Sequence, residues 1–169
     1  MEERKMVKAI YAGSFDPITL GHIDIFKRSM KVCDELTIGI GVNSAKKTLF
    51  TEDERVKQVN RAVDAHCDFL TAVAIKVVSF QGLLVNFARE VGATVLIRGI
   101  RSVSDFEYEL TLANINKELE PFIETIFLPT SPHLSMISSS MVKELAKYGS
   151  DVSKYVPDSV NLALKKQIL

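Results

Sequence analysis

Short apolar runs alternate with helix-spaced apolar positions along the whole chain, and that alternation leaves few folds open. Val7 to Ala12 reads as a first strand ending at Gly13. Ile23, Phe26, Met30 and Cys33 then follow helical spacing, so a helix begins near Gly21. Leu36 to Val42 is a second strand. Thr51 and Glu54 form a capping-box pattern ahead of Val56, Val59 and Val63, which predicts a second helix. Ala72 to Val78 is β-like, and Leu83, Leu84, Phe87, Ala88 and Val91 make one apolar helical face. Ala93 to Ile97 follows as a short buried strand, then a helix capped by Ser104 and Glu107 that carries Phe106, Leu110 and Ala113. Ile123 to Leu128 is a fifth strand. A Pro/Ser-rich loop leads to a helix from about Ser139, and Val160, Leu164 and Ile168 predict a closing helix after Pro157. Strands separated by helices need crossover connections, so the expected class is α/β, doubly wound, with a five-stranded mainly parallel sheet and helices on both faces. A single domain over residues 1–169 accommodates all of it.

Composition narrows the function classes. Lys+Arg and Asp+Glu tie at 21 each, which removes the broad basic field of a general nucleic-acid binder. Two cysteines, Cys33 and Cys67, are too few for a disulfide framework and lack zinc-ligand spacing. The opening MEERKMVKAIYAG has neither the apolar core nor the cleavage site of a secretory signal. The longest uncharged stretch, Thr125 to Val142, is interrupted by Pro129, Pro132, His133 and the run Ser138-Ser139-Ser140, so no membrane span is expected. The expected compartment is the cytoplasm. A mean hydropathy of +0.13 favours some burial between subunits, that is, a homo-oligomer.

In doubly wound folds ligands sit beyond the carboxyl ends of the strands. Four segments there carry phosphate-compatible chemistry: Gly13 to His22, Asn43 to Lys47, Arg98 to Arg101, and Pro129 to Ser140. Gly13 permits a tight exit from the first strand, Ser14 offers a hydroxyl, and Gly21 and His22 fall in the first turn of a helix whose free N–H groups attract anions. The competing reading is an ordinary turn with a surface histidine. Lys46 is a point charge able to reach a phosphate, or one of a solvated lysine pair with Lys47. Arg98 and Arg101 flank Gly99 and Ile100; guanidinium forks suit phosphate oxygens, and ion pairs with Glu107 or Glu109 are the alternative. Ser138, Ser139 and Ser140 exceed what a simple N-cap needs. A P-loop is excluded because no Gly-Lys-Ser/Thr ending exists, and Gly39-Ile40-Gly41 lacks the third glycine of a dinucleotide fingerprint. No His/Asp/Glu cluster has the spacing of a dedicated metal cage, so the metal expectation is none beyond a cation brought by phosphates.

Three stretches, in order, carry a resemblance. Ala12-Gly13-Ser14-Phe15-Asp16-Pro17 with Thr19-Leu20-Gly21-His22 resembles the (H/T)xGH nucleotidyltransferase signature. Leu96 to Arg101 continuing through Asp105 to Glu109, and Ile137 to Glu144, resemble the phosphopantetheine adenylyltransferases of bacteria. The resemblance implies a Rossmann-like fold and transfer of the adenylyl group of ATP to 4′-phosphopantetheine, giving dephospho-coenzyme A and pyrophosphate, with Mg2+ arriving on the ATP phosphates. It also implies a homohexamer. By position, His22, Lys46 and Arg98 would be catalytic, and Ser14, Lys46, Leu84 and Arg98 would bind the pantetheine substrate. Ser14, Phe15, His22, Gly99, Ile100, Arg101, Glu109, Leu134, Ser135, Met136, Ile137, Ser138, Ser139 and Ser140 would form the ATP site. Ser14 stands where many relatives have threonine, and Ala12 where many have proline. The rival readings are a transferase for another phosphorylated acceptor and a non-catalytic nucleotide-binding module.

Overall fold

A strand buried on both sides ends up at the centre of a sheet, and the first strand here is such a strand. The computed structural model describes residues 6–67 and 73–168. The strands are β1 (Lys8–Gly13), β2 (Glu35–Val42), β3 (Ala74–Gln81), β4 (Val95–Ile100) and β5 (Glu124–Pro129). The helices are α1 (Leu20–Ser29), α2 (Glu52–His66), α3 (Leu84–Val91), α4 (Val103–Leu119), α5 (Ser139–Lys147) and α6 (Asp158–Ile168). The strand order is β3-β2-β1-β4-β5 and every pairing is parallel. The chain winds outward from β1 to β3, returns to pair β4 with β1, and winds outward again, so the switch point lies beside β1.

Alternation along β1 divides the core. Ala9 and Tyr11 join a cluster with Phe26 of α1, Val59 of α2, Val142 of α5 and Leu164 of α6. Ile10 and Ala12 face the other way, toward Val85, Phe87 and Ala88 of α3. Helices therefore cover both faces of a five-stranded sheet, as the sequence pattern required. Among the described residues, no helix is long and apolar enough to cross a membrane.

Several boundaries differ from the sequence reading. The strand placed at Ala93 to Ile97 is β4, which starts later and runs on through Ile100, because β5 keeps pairing with it at Arg98↔Phe127, Gly99↔Leu128 and Ile100↔Pro129. Arg98 and Gly99 thus lie within a strand rather than after one. The cap of α4 is Ser102, whose Oγ accepts from the Asp105 N–H; Ser104 bonds the Ser102 hydroxyl instead. Cys33 lies beyond the end of α1 and is held by its thiol donating to the Ser29 carbonyl. β3 reaches Gln81 through its ladder with β2, while Ala72, where the strand was expected to begin, falls outside the described residues.

Candidate active site

His22 owes its place to the start of α1. Thr19 is an extended N-cap whose Oγ accepts from the His22 backbone N–H, and the Thr19 N–H donates to His22 Nδ1 at 3.0 Å. An Nδ1 that accepts carries no proton, so the neutral ring holds its hydrogen on Nε2. The rings of Phe15 and Tyr11 flank the imidazole, with Phe15 edge-on at 5.0 Å. Burial, aided by the positive charge of Arg101, lowers the His22 pKa to about 4. At neutral pH the imidazole is therefore an uncharged donor. It lines a cavity of about 280 Å³ shared with Arg98, Gly99, Arg101, Glu109 and the start of α5.

Both arginines of that cavity are already oriented. Arg98 donates through Nε and Nη2 to Glu109, each at 2.6 Å, and through Nη1 to the Ala12 carbonyl at 2.8 Å. Glu109, not Glu107, is thus its ion-pair partner. Arg101 is forked onto Asp105 at 2.8 and 3.1 Å and also donates to the Ile137 carbonyl. A guanidinium has five N–H donors, so each keeps capacity for an incoming anion while its direction is fixed. Space at Gly99 is tight: a Cβ there would stand 3.0 Å from Ile25 Cγ1, so that side chain would have to shift, and 3.5 Å from the Tyr11 hydroxyl.

The start of α5 forms the opposite wall. Ser138 is its N-cap, accepting from the Met141 N–H at 3.0 Å. Ser139 donates to the Pro17 carbonyl at 2.8 Å, tying α5 to the loop after β1. A second tie was not legible as such in the sequence. Asp16, only 2% exposed, accepts from Lys143 Nζ at 2.8 Å and from the N–H groups of Leu49 and Phe50, each at 2.9 Å. Those bonds and the ammonium hold its carboxyl below the ordinary aspartate range, against the opposing effect of burial. One buried carboxylate thereby joins three segments of the site.

Ser14 and Lys46 line a second cavity of about 270 Å³, with Gly41, Asn43, Thr48 and Phe80. The expected residues thus divide. His22, Arg98, Gly99, Arg101, Glu109 and Ile137 to Ser140 share the first cavity, and Ser14 and Lys46 the second. Phe15, Leu84, Ile100 and Leu134 to Met136 line neither. Phe15 turns its ring into the core, where it packs against Gly13 and His22, so only its backbone is available to a ligand. Leu84 packs against the α3-side core, and Met136 is 81% exposed.

Comparison with known proteins identifies the family and the fold. The cytidylyltransferase-like family model matches residues 10–145. A phosphopantetheine adenylyltransferase of Lachnoclostridium phytofermentans is 51% identical over 151 residues, covering 89% of each chain. Among solved structures, Plasmodium falciparum nicotinic acid mononucleotide adenylyltransferase superposes with a TM-score of 0.68 at 16% identity, covering 95% of this chain and 94% of that one. A lipopolysaccharide core biosynthesis protein of Thermoplasma volcanium matches at a TM-score of 0.50 and 23% identity, covering 75% and 98%. These two share the fold. With a family model over most of its length and half of its aligned residues identical to a curated relative, the chain belongs to the phosphopantetheine adenylyltransferases, within the cytidylyltransferase-like family.

Proposed function

We propose that the protein transfers the adenylyl group of ATP to 4′-phosphopantetheine, with the triphosphate in the cavity of His22, Arg98 and Arg101 and the acceptor phosphate beside Ser14 and Lys46. The observation that carries this is the pair of cation-lined cavities at the carboxyl ends of β1, β2 and β4, with Ser14 leaving β1 on one side and His22 opening α1 on the other. An oxygen of the acceptor phosphate attacks the α-phosphorus; the bond to the bridging α–β oxygen breaks, and pyrophosphate leaves. The nucleophile is already anionic, so no protein base is needed. The chain's work is alignment of two polyanions and stabilisation of charge at the α-phosphate. His22 Nε2–H supplies a preorganised donor that strengthens as that charge grows. Arg98, braced by Glu109, and the free N–H groups of α5 supply the rest.

Magnesium is read as part of the MgATP substrate. The two cavity carboxylates, Asp105 and Glu109, are spent on Arg101 and Arg98, and no group of three ligand-type side chains occurs among the described residues. A homo-oligomer, a hexamer by family resemblance, is supported by α4, a 17-residue helix with no buried residue that exposes Val103, Tyr108 and Ile115. Cys33 and Cys67, both buried and outside any disulfide, suit the reducing cytoplasm.

The test mixes protein, ATP, magnesium and 4′-phosphopantetheine and follows pyrophosphate release. His22→Ala should lower turnover by about 10²–10³-fold, the usual cost of one such donor, while ATP binding by calorimetry persists. No pyrophosphate from the wild-type protein refutes the reading; near-normal turnover by His22→Ala removes the imidazole from the mechanism.

A further inference from the structure

Arg55 is a buried cation that none of the chemistry above uses. It sits in the first turn of α2 and is 2% exposed. A positive charge there opposes the helix dipole. Burying one without a carboxylate partner is costly as well. Among the described residues no carboxylate pairs with it, and its Nε–H has no partner. Its Nη1 donates to two carbonyls, Ser14 at 2.7 Å and Gly41 at 3.1 Å. Both residues line the second cavity. They come from the carboxyl ends of neighbouring strands, where partly negative carbonyl oxygens would repel an incoming phosphate.

We propose that Arg55 is a positioning residue for the acceptor phosphate: it neutralises the Ser14 and Gly41 carbonyls, fixes their backbone, and lays an uncompensated positive charge beneath the second cavity. An excess charge held in place in a medium of low dielectric favours an anion far more than the same charge in water. This rests on the assignment of the second cavity to 4′-phosphopantetheine. It separates Arg55 from Lys46, which is exposed and meets the anion directly.

The experiment uses the full-length protein. In Arg55→Met the KM for 4′-phosphopantetheine should rise about tenfold or more while the KM for ATP stays within about twofold, and Arg55→Lys, which keeps the charge, should recover most of the loss. Equal increases in both KM values, or none in either, overturn the proposal in favour of a plain structural staple. Should Arg55→Met fail to fold, the wild-type protein decides. A wild-type measurement needs no variant. The ¹H–¹⁵N resonance of Arg55 Nε should shift on titration with 4′-phosphopantetheine alone and not with ATP; an unmoved resonance is the contrary result. If the wild-type protein does not turn over 4′-phosphopantetheine, the functional reading fails, and inorganic phosphate titrated against the same resonance still tests the charge placement.

Discussion

Acidification should destabilise the protein through His22 in a window that can be placed. The folded pKa is lowered from 6.5 to about 4, by burial first and by Arg101 second. Between those values the unfolded chain binds a proton that the folded chain refuses, so stability rises with pH across the window. His22's contribution is fully present above about 6.5 and is lost as pH falls toward about 4. A shift from 6.5 to about 4, at about 1.4 kcal/mol per unit, sets a ceiling of about 3.5 kcal/mol. The half-buried ring makes that an upper limit. Protonating Nδ1 would also sever the bond from the Thr19 N–H, a capping interaction worth about 1 kcal/mol that forms part of the same total. Urea unfolding of the wild type and of His22→Gln, at about pH 7, 5.5 and 4.5, isolates the effect, since the carboxylates act equally in both proteins. The wild type should lose about 2–3 kcal/mol more than the variant across that range. Parallel losses, or an imidazole that titrates by NMR near its ordinary value, would refute the assignment of an uncharged donor.

Three further outcomes are expected. Lys143→Met leaves the buried Asp16 carboxylate with backbone partners only and should cost about 2–3 kcal/mol, read as a drop in Tm. It should also raise the Asp16 pKa, and an unchanged Tm would mean that this tie is idle. Gly99→Ala brings a methyl against Ile25 and the Tyr11 hydroxyl and should destabilise by about 1–3 kcal/mol, with a raised KM for ATP, measured by thermal unfolding and steady-state kinetics. Ile115→Glu on the uncovered face of α4 should alter chain stability by less than about 0.5 kcal/mol but reduce the particle mass seen by light scattering; an unchanged mass clears that face of a role in assembly.

The architecture was legible because period and length carry it. β1 and β2 are short and apolar, and Thr51 with Glu54 makes the capping box that the structure contains. Where a boundary depended on partners, the sequence was silent. Nothing in Val95 to Ile100 says that β5 will extend the strand past Arg98, and Ser102 and Ser104 are equally plausible caps until the turn is built. The cavity residues His22, Arg98, Arg101 and Ser138 to Ser140 stood out because cations, glycines and hydroxyls clustered after strands. Asp16 and Arg55 did not, since their roles depend on contacts 127 and 41 residues away. An aspartate before proline reads as turn chemistry, and an arginine within an acidic helix start reads as a surface charge.

The two ends of the segment carrying Lys46 are pinned, by the β2 ladder as far as Val42 and by Asp16 receiving the Leu49 N–H. Residues 43–48 are thus a short tether, and its length sets the local concentration of the amine at its target. Chain statistics make such a dilution gentle: doubling the tether costs about 0.6 kcal/mol, roughly a threefold fall in effective molarity. Inserted residues at that tip should therefore erode acceptor affinity by degrees, which makes the loop the natural place to accept a reporter peptide or a grafted specificity element.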